Sequence, residues 1–296
     1  MSFSSEAKMA AAIMPKSHKE QKAMLYGMLL FGNVFSESDI MLMTETAEVS
    51  DILCGLLLGV CDIMASPQAY EKGGREVYKI KIADKSDLSR LYEEFGAAGI
   101  DAIDKSIITD AHTETAFLRG VFLSCGYINP PEKSYRLDFT VRSGDLAVDL
   151  AVVLMKCVGE MPKLSVRRSN QIVYFRDSNL IVDFMNMIGL TSQAFEIMNS
   201  QIERDIRNNL NRRTNFDVAN IGKKTAASVA QIEAINAIID RGDFEKLPVN
   251  LRQTARLRLV MPDASLEALG KAEVPPISKS QVSKMLSQIV EMSKNK

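Results

Sequence analysis

The chain has 296 residues, of which 46% are hydrophobic and 25% charged, with a formal net charge of −1. That length and apolar content suffice for two or three packed domains and exclude a disordered chain. The longest uncharged apolar run, ILCGLLLGVC between Asp51 and Asp62, is about half of the ~20 residues a membrane helix needs, and the N-terminus lacks a signal-peptide pattern, so a cytoplasmic protein without a membrane span is expected.

In chain order, periodicity predicts a helix over about residues 18–33, an extended stretch SDIMLMTETA, and a helix over about 48–62. The hairpin MASPQAYEKGGREVYKIKI follows, with Gly73-Gly74 as its turn, and then the helix KSDLSRLYEEFGAAG, which ends at glycine. The order then begins again: helix 112–125, hairpin YINPPEKSYRLDFTVRS, helix GDLAVDLAVVLMKCVGEM, hairpin KLSVRRSNQIVYFRDS and helix SNLIVDFMNMIGL. Gly27 and Gly120 stand 93 residues apart in similar phrases, and each later element has a counterpart at about that offset. This is an internal duplication of an α-β-β-α-β-β-α unit, and it implies an α+β fold with two antiparallel sheets, each covered by helices on one face.

Mid-helix glycine costs about 1 kcal/mol against alanine, which a close approach between helices would offset. Gly120 and Ser124 share a helix face, so the Gly27 and Gly120 helices are expected to pack backbone to backbone about a pseudo-twofold. Phe31 stands where Ser124 would be in the first copy, so the contact need not be symmetric. Two unrelated amphipathic helices with incidental glycines are the plainer alternative.

Cys54, Cys61, Cys125 and Cys157 sit in apolar surroundings without a CxxC or a Cys/His cluster, which predicts reduced core thiols. His18 and His112 lie near helix starts among polar residues, without partners for a nucleophile or a zinc site, so exposed or capping roles are expected. Charge is divided unevenly: residues 1–199 hold 20 Lys/Arg against 26 Asp/Glu, and residues 200–296 hold 16 against 11. A basic tail on an acidic body suggests that the tail meets a polyanion.

Residues 191–239 carry long helical periodicity with an expected break near Asn215–Gly222, and NNLNRRTNFDVAN within it is rich in Asn and Arg, either for nucleic acid or as a solvated helix end. The helix PVNLRQTARLRLVMP is opened by Pro248 and closed by Pro262. DASLEALGKAE is a short second helix, with Asp263 or Ser265 as its N-cap. After Pro275-Pro276 comes ISKSQVSKMLSQIVEMSK, with Ile277, Val282, Leu286 and Ile289 facing inward. Three short helices with a tight connection before the last form a helix-turn-helix, whose final helix enters the major groove by its N-terminal residues. Those are Ser278, Lys279, Ser280, Gln281, Ser283 and Lys284: Gln can pair bidentately with adenine, Lys can reach guanine or phosphate, and Ser lets the helix seat deeply. Arg252, Arg256 and Arg258 would flank the DNA backbone.

LYGMLLFGN (25–33) and LRGVFLSCG (118–126) resemble degenerate copies of the LAGLIDADG helix of one class of homing endonucleases. The resemblance implies a saddle whose two central helices each deliver an acid near the C-terminal end to bind metal ions that cleave DNA. Those positions are Gly32 and Cys125 here, and neither can ligate a hard divalent cation. Asp39 and Asp138 fall on the following strands, as surface charges or as a relocated metal site. Arg136, Arg142, Arg167, Arg168 and Arg176 would form a basic stripe if they share a sheet face; protein contact or dimer formation is the other use of such a saddle. With DVANIGKKTAASVAQI, LPVNLRQTARLRLVMPDASLEALG and PPISKSQVSKMLSQI behind it, the whole chain is similar to the WhiA family of Gram-positive bacteria, although the first twenty residues match no recognisable motif.

The expected organisation is therefore a catalytically degenerate LAGLIDADG-like α+β domain over 1–200, a connector over 201–222 and an all-α helix-turn-helix domain over 223–296. The resemblance implies a nucleoid-associated, sequence-specific regulator that binds promoter DNA, in sporulation or in cell division and chromosome segregation. It implies no nuclease activity, no catalytic residue, no metal and no cofactor. The internal twofold favours a monomer, and another transcription or division protein is a possible partner. A metal-dependent endonuclease with relocated acids and a division-machinery scaffold are the competing readings.

Overall fold

The computed structural model describes residues 2–36, 38–96 and 102–294. It divides into two compact units, Met1–Arg204 and Asp205–Lys296. In the first, the chain runs through α1 (Phe3–Ala11), α2 (His18–Leu30), β1 (Val34–Phe35), β2 (Ile40–Thr44), α3 (Ala47–Cys61), β3 (Gln68–Lys72), β4 (Arg75–Ile82) and α4 (Lys85–Phe95). It continues through α5 (Ala111–Cys125), β5 (Gly126–Ile128), β6 (Leu137–Val141), α6 (Gly144–Val158), β7 (Lys163–Arg167), β8 (Asn170–Phe175) and α7 (Ser178–Met187). The two sheets have the same strand order, β1-β2-β4-β3 and β5-β6-β8-β7, and their pairings are antiparallel. The duplication read from the sequence is thus a structural one.

Period-2 alternation makes each sheet one-sided. Ile40 and Leu42 of β2, and Leu137, Phe139 and Val141 of β6, are buried beneath the helices, while Met41, Met43, Asp138 and Thr140 face the other way. Gly73 and Gly74 both have positive φ, 61° and 74°, which a two-residue hairpin turn requires. The helix expected to end at glycine stops at Phe95, with Gly96 at φ 75°; part of the predicted GAAG terminus lies outside the described residues.

The centre of this unit is the α2–α5 contact. A Cβ on Gly120 would lie 2.2 Å from the Met24 carbonyl oxygen, and one on Gly27 would lie 2.4 Å from the Phe117 carbonyl oxygen. Backbone meets backbone at both glycines, as the pseudo-twofold reading requires. The asymmetry is also real: Ser124 Oγ donates to the Met28 carbonyl at 2.7 Å, whereas Phe31 turns its ring edgewise to Phe117, with centroids 6.1 Å apart.

Among the described residues, helix α1 has no counterpart in the second repeat. It buries Ala7 and Ala11, and Ser4 Oγ accepts the Ile128 N–H at 3.2 Å, so the helix is fixed to β5. His18 and His112 are exposed, and Cys61 is buried while the other three cysteines are half-buried free thiols.

Helix α8 (Thr191–Asp240) corrects one expectation. It runs unbroken through 215–222, where loop-forming residues predicted a break. A single Gly222 costs about 1 kcal/mol and each Asn less, whereas ending and restarting a helix strands four N–H and four C=O groups at each new pair of ends. No proline lies between 191 and 240 to force the choice. Ala194 and Ile197 at its start belong to the first core, and Ile235 and Ile238 near its end belong to the second.

The second unit continues with α9 (Val249–Val260), α10 (Leu266–Ala272) and α11 (Lys279–Lys294). Its core joins Ile235, Ile238, Leu251, Ala255, Leu269, Val282, Leu286 and Ile289. Among the described residues, no helix is long and apolar enough to cross a membrane.

Candidate nucleic-acid interface

The geometry of α10 and α11 is set by Gly270. A Cβ there would lie 2.4 Å from the Ile277 carbonyl oxygen, and the Ile277 N–H donates to the Gly270 carbonyl at 2.9 Å. Glycine lets the segment before α11 fold back directly onto α10. Thr254 Oγ1 donates to the buried Glu273 carboxylate, tying α9 to the end of α10. The last helix therefore sits on a fixed base, with Val282, Leu286 and Ile289 inward as expected.

Ser278, Lys279, Ser280, Gln281, Ser283 and Lys284 are all exposed, at the cap and over the first two turns of α11. Ser278 and Gln281 form a reciprocal cap: Ser278 N–H donates to Gln281 Oε1 at 2.9 Å, and Gln281 N–H donates to Ser278 Oγ at 3.3 Å. Bidentate pairing of Gln281 with adenine would need that Oε1, so it competes with the cap; Nε2 alone can donate without cost to the helix.

The arginines of α9 divide. Arg256 is exposed, with its guanidinium donating to Glu245 Oε1 at 3.2 Å and lying 5.8 Å from the Phe244 ring centroid. Arg252 is half-buried and donates to the other oxygen of the same carboxylate. Arg258 is a correction: it is 3% exposed, donates to the Pro262 and Ala264 carbonyls at 3.2 and 2.8 Å, and so holds the turn after α9 and cannot flank DNA. Burial lowers its pKa from the usual guanidinium value. The sequence carries the signal, since Arg258 follows Leu251 and Ala255 at helical spacing on the inward face.

In the first unit, strand parity places Arg136, Arg167 and Arg176 on the open face of the second sheet; Arg136 and Arg176 lie beside Tyr174, 4.6 and 5.4 Å from its ring centroid, whereas Arg167 pairs with Asn170 at the hairpin end. Arg136 also holds Asp138 at 2.7 Å. Arg142 leaves the stripe to donate to the Leu30 carbonyl at the end of α2, and Arg168 occupies the β7–β8 turn at φ 58°. The first sheet has a basic face as well, outside the expected stripe: Lys79 and Lys81 share the open side of β4, and Lys72 pairs with Arg75 at the hairpin end. Alternation in REVYKIKI is the signal that could have found it. Asp39 is held by Lys81 at 3.5 Å.

Helices α2 and α5 end at a cavity of about 290 Å³, lined by Gly32, Asn33, Cys125, Thr140, Arg142 and Lys8 among others, with no carboxylate among the described residues that line it. This is where the endonuclease resemblance would put metal-binding acids. Burial pushes the Cys125 thiol up to about 12, so it is protonated at neutral pH, and Lys8 adds a cation. A cation beside a neutral thiol does not suit a divalent metal, which seeks anionic oxygen ligands.

Comparison with known proteins covers both units. Residues 114–207 match the WhiA LAGLIDADG-like domain and residues 210–293 match the WhiA C-terminal HTH domain. A probable cell division protein WhiA from a Thermoanaerobacter species is 32% identical over 315 aligned positions, which cover 99% of this chain and 98% of that one. Its namesake from Clostridium tetani is 33% identical over 259 positions, covering 83% and 80% respectively. The crystal structure of full-length WhiA from T. maritima superimposes with a TM-score of 0.61 at 24% identity, over 99% of this chain and 98% of that one, and shares the fold.

Proposed function

Since the chain belongs to the WhiA family, we propose that it is a non-enzymatic, sequence-specific regulator that binds promoter DNA through α11 and serves cell division, or sporulation where the host forms spores. The observation that carries this reading is the exposed start of α11. Six small, polar or basic side chains stand exposed on a helix held to its partner by the Gly270–Ile277 contact. Lys279 and Lys284 supply charge, Gln281 Nε2 supplies a base-edge donor, and the serines allow close approach. Loss of both helix-end acids, with a thiol and a glycine in their places, supports a saddle that keeps no nuclease chemistry. A cytoplasmic, nucleoid-bound monomer is the state this reading implies.

Operator DNA selected from genomic fragments provides the test, with the intact chain. Lys279→Ala and Lys284→Ala should each weaken operator binding and reduce the log–log salt slope by about 1. Gln281→Glu keeps the capping box but removes the donor, so it should erase preference at one base pair while the helix remains folded. The duplex should stay uncut in Mg²⁺ or Mn²⁺. Unchanged salt slopes in both lysine variants, or cleavage, would refute the reading.

A second use, contact with another protein, is favoured by one feature: Val148, Val152 and Met155 form an exposed apolar stripe on α6, at 52%, 40% and 40% exposure.

A further inference from the structure

The cavity between the ends of α2 and α5 has a wall chemistry that the α11 reading does not use. Its polar groups come from three directions: Lys8 from α1, Asn33 from the turn after α2, and Thr140, Arg142 and Asn170 from the second sheet and its turns. The Lys8 ammonium makes no hydrogen bond or ion pair with any described residue; its charged or ionisable neighbours are Cys125 and Glu45. Burial lowers Lys8 to about 8, which leaves it mostly cationic at neutral pH. Asn33 Oδ1 accepts the Met43 N–H at 2.6 Å, so its amide NH2 remains as a donor. Arg142 is already committed, to the Leu30 carbonyl and the Phe35 ring, and adds positive potential from the rim.

A pocket with a cation, amide donors, a hydroxyl and no carboxylate among its described lining residues is complementary to an anion. Donors arriving from three elements meet a tetrahedral oxyanion better than a planar carboxylate, because its oxygens point in several directions. We propose that this cavity is a phosphate site, with Lys8 supplying the charge and Asn33 and Asn170 the neutral donors. The phosphate is either a free or monoester phosphate or a backbone phosphate of DNA lying on the open sheet face. The plainer role for Lys8 is to neutralise the negative ends of α2 and α5. That role would add stability but would give no response to anions, so the two are separable. The site does not depend on the assignment of α11: DNA recognition there could fail while phosphate binding persisted.

The test uses the intact chain at neutral pH and constant ionic strength, with inorganic phosphate as the probe. Saturating phosphate should raise Tm by about 2 °C or more and broaden the phosphate signal in phosphorus NMR, with chloride as the blank. Lys8→Arg should keep both effects, and Lys8→Met should lose them. Because Lys8→Met also alters the packing of α1, Asn170→Leu at the exposed hairpin end of β8 is the second variant, and it too should lose most of the response. No phosphate response in the unaltered chain, or an equal response in Lys8→Met and Asn170→Leu, overturns the proposal. A second arm measures binding of an operator-free duplex. Several-fold weakening by Lys8→Met, with competition by phosphate, assigns the site to the DNA backbone. Unaltered duplex binding, with the phosphate response intact, assigns it to a free phosphate.

Discussion

Gly27 and Gly120 take the place of alanines that would make better helices, and the cost is recovered where the two backbones meet. A Cβ 2.2 Å from the Met24 carbonyl oxygen cannot be accommodated by a side-chain shift, because the obstructing atom is backbone. Gly120→Ala should therefore destabilise the first unit by about 1–3 kcal/mol or more despite the gain in helix propensity. Gly59, in α3, is the internal control: its nearest neighbour to a new Cβ is Gln21 Oε1 at 3.8 Å. There the same substitution should stabilise by roughly 0.5–1 kcal/mol. Opposite shifts in the urea midpoint, followed by circular dichroism, are the expected result; equal shifts would mean that the close approach is not carrying the contact. Both glycines are legible in the sequence because a helix-weakening residue that recurs at the repeat offset, in two matching apolar phrases, signals a shared packing constraint. Lys8 is not legible in that way. Its importance arises from a cavity assembled from α1, α2, α5 and β6, and no local pattern encodes that convergence.

At the scale of elements, proline punctuation and the N-cap candidates Asp263 and Ser265 are enough to predict α9, α10 and α11, while the reciprocal cap of Ser278 and Gln281 emerges from the structure. What escapes a reading of the sequence is the pairing of Glu245 with Arg252 and Arg256, because 7 and 11 residues separate the partners and the chain turns between them. Charge and position alone send those two arginines to phosphate, and the carboxylate competes for them. Glu245 and Arg256 are about two-thirds exposed, at 67% and 63%, while Arg252 is 24% exposed. Exposed pairs of this kind are worth only about 0–1 kcal/mol, so a DNA phosphate can displace Glu245. Glu245→Gln should therefore tighten binding to operator-free DNA and steepen the log–log salt slope by about 1–2, one for each arginine released. Fluorescence anisotropy across a salt series reads both quantities. An unchanged slope would show that neither arginine faces the backbone.

For the molecule as a whole, duplication is the most readable feature, since two sheets of identical strand order follow from one repeated pattern. The path between the two units is the least readable, because composition points to a break at 215–222 and the chain keeps its helix. No buried residue lies between Ile197 and Ala234 on α8; Ser200 and Arg204 still hold to the Pro131 carbonyl and Ser228 to the Pro262 carbonyl, so it is the stretch between Arg204 and Ser228 that rests mainly on helix propensity. Isolated helices are marginal under those terms, and such a segment opens locally at far lower cost than a packed one. The expected connector over 201–222 is thus proposed to be the preferred site of proteolytic entry, even though it is helical. Limited trypsin digestion should cut first after Arg207, Arg212 or Arg213 and leave two resistant fragments. Gly222 has open space around its Cα, so Gly222→Ala should stabilise the helix by about 1 kcal/mol and slow the first cut by roughly fivefold, if opening precedes cleavage in fast equilibrium. First cuts within β3–β4 or β7–β8, or a rate indifferent to Gly222→Ala, would place the weakest segment elsewhere and remove the case for a connector at 201–222.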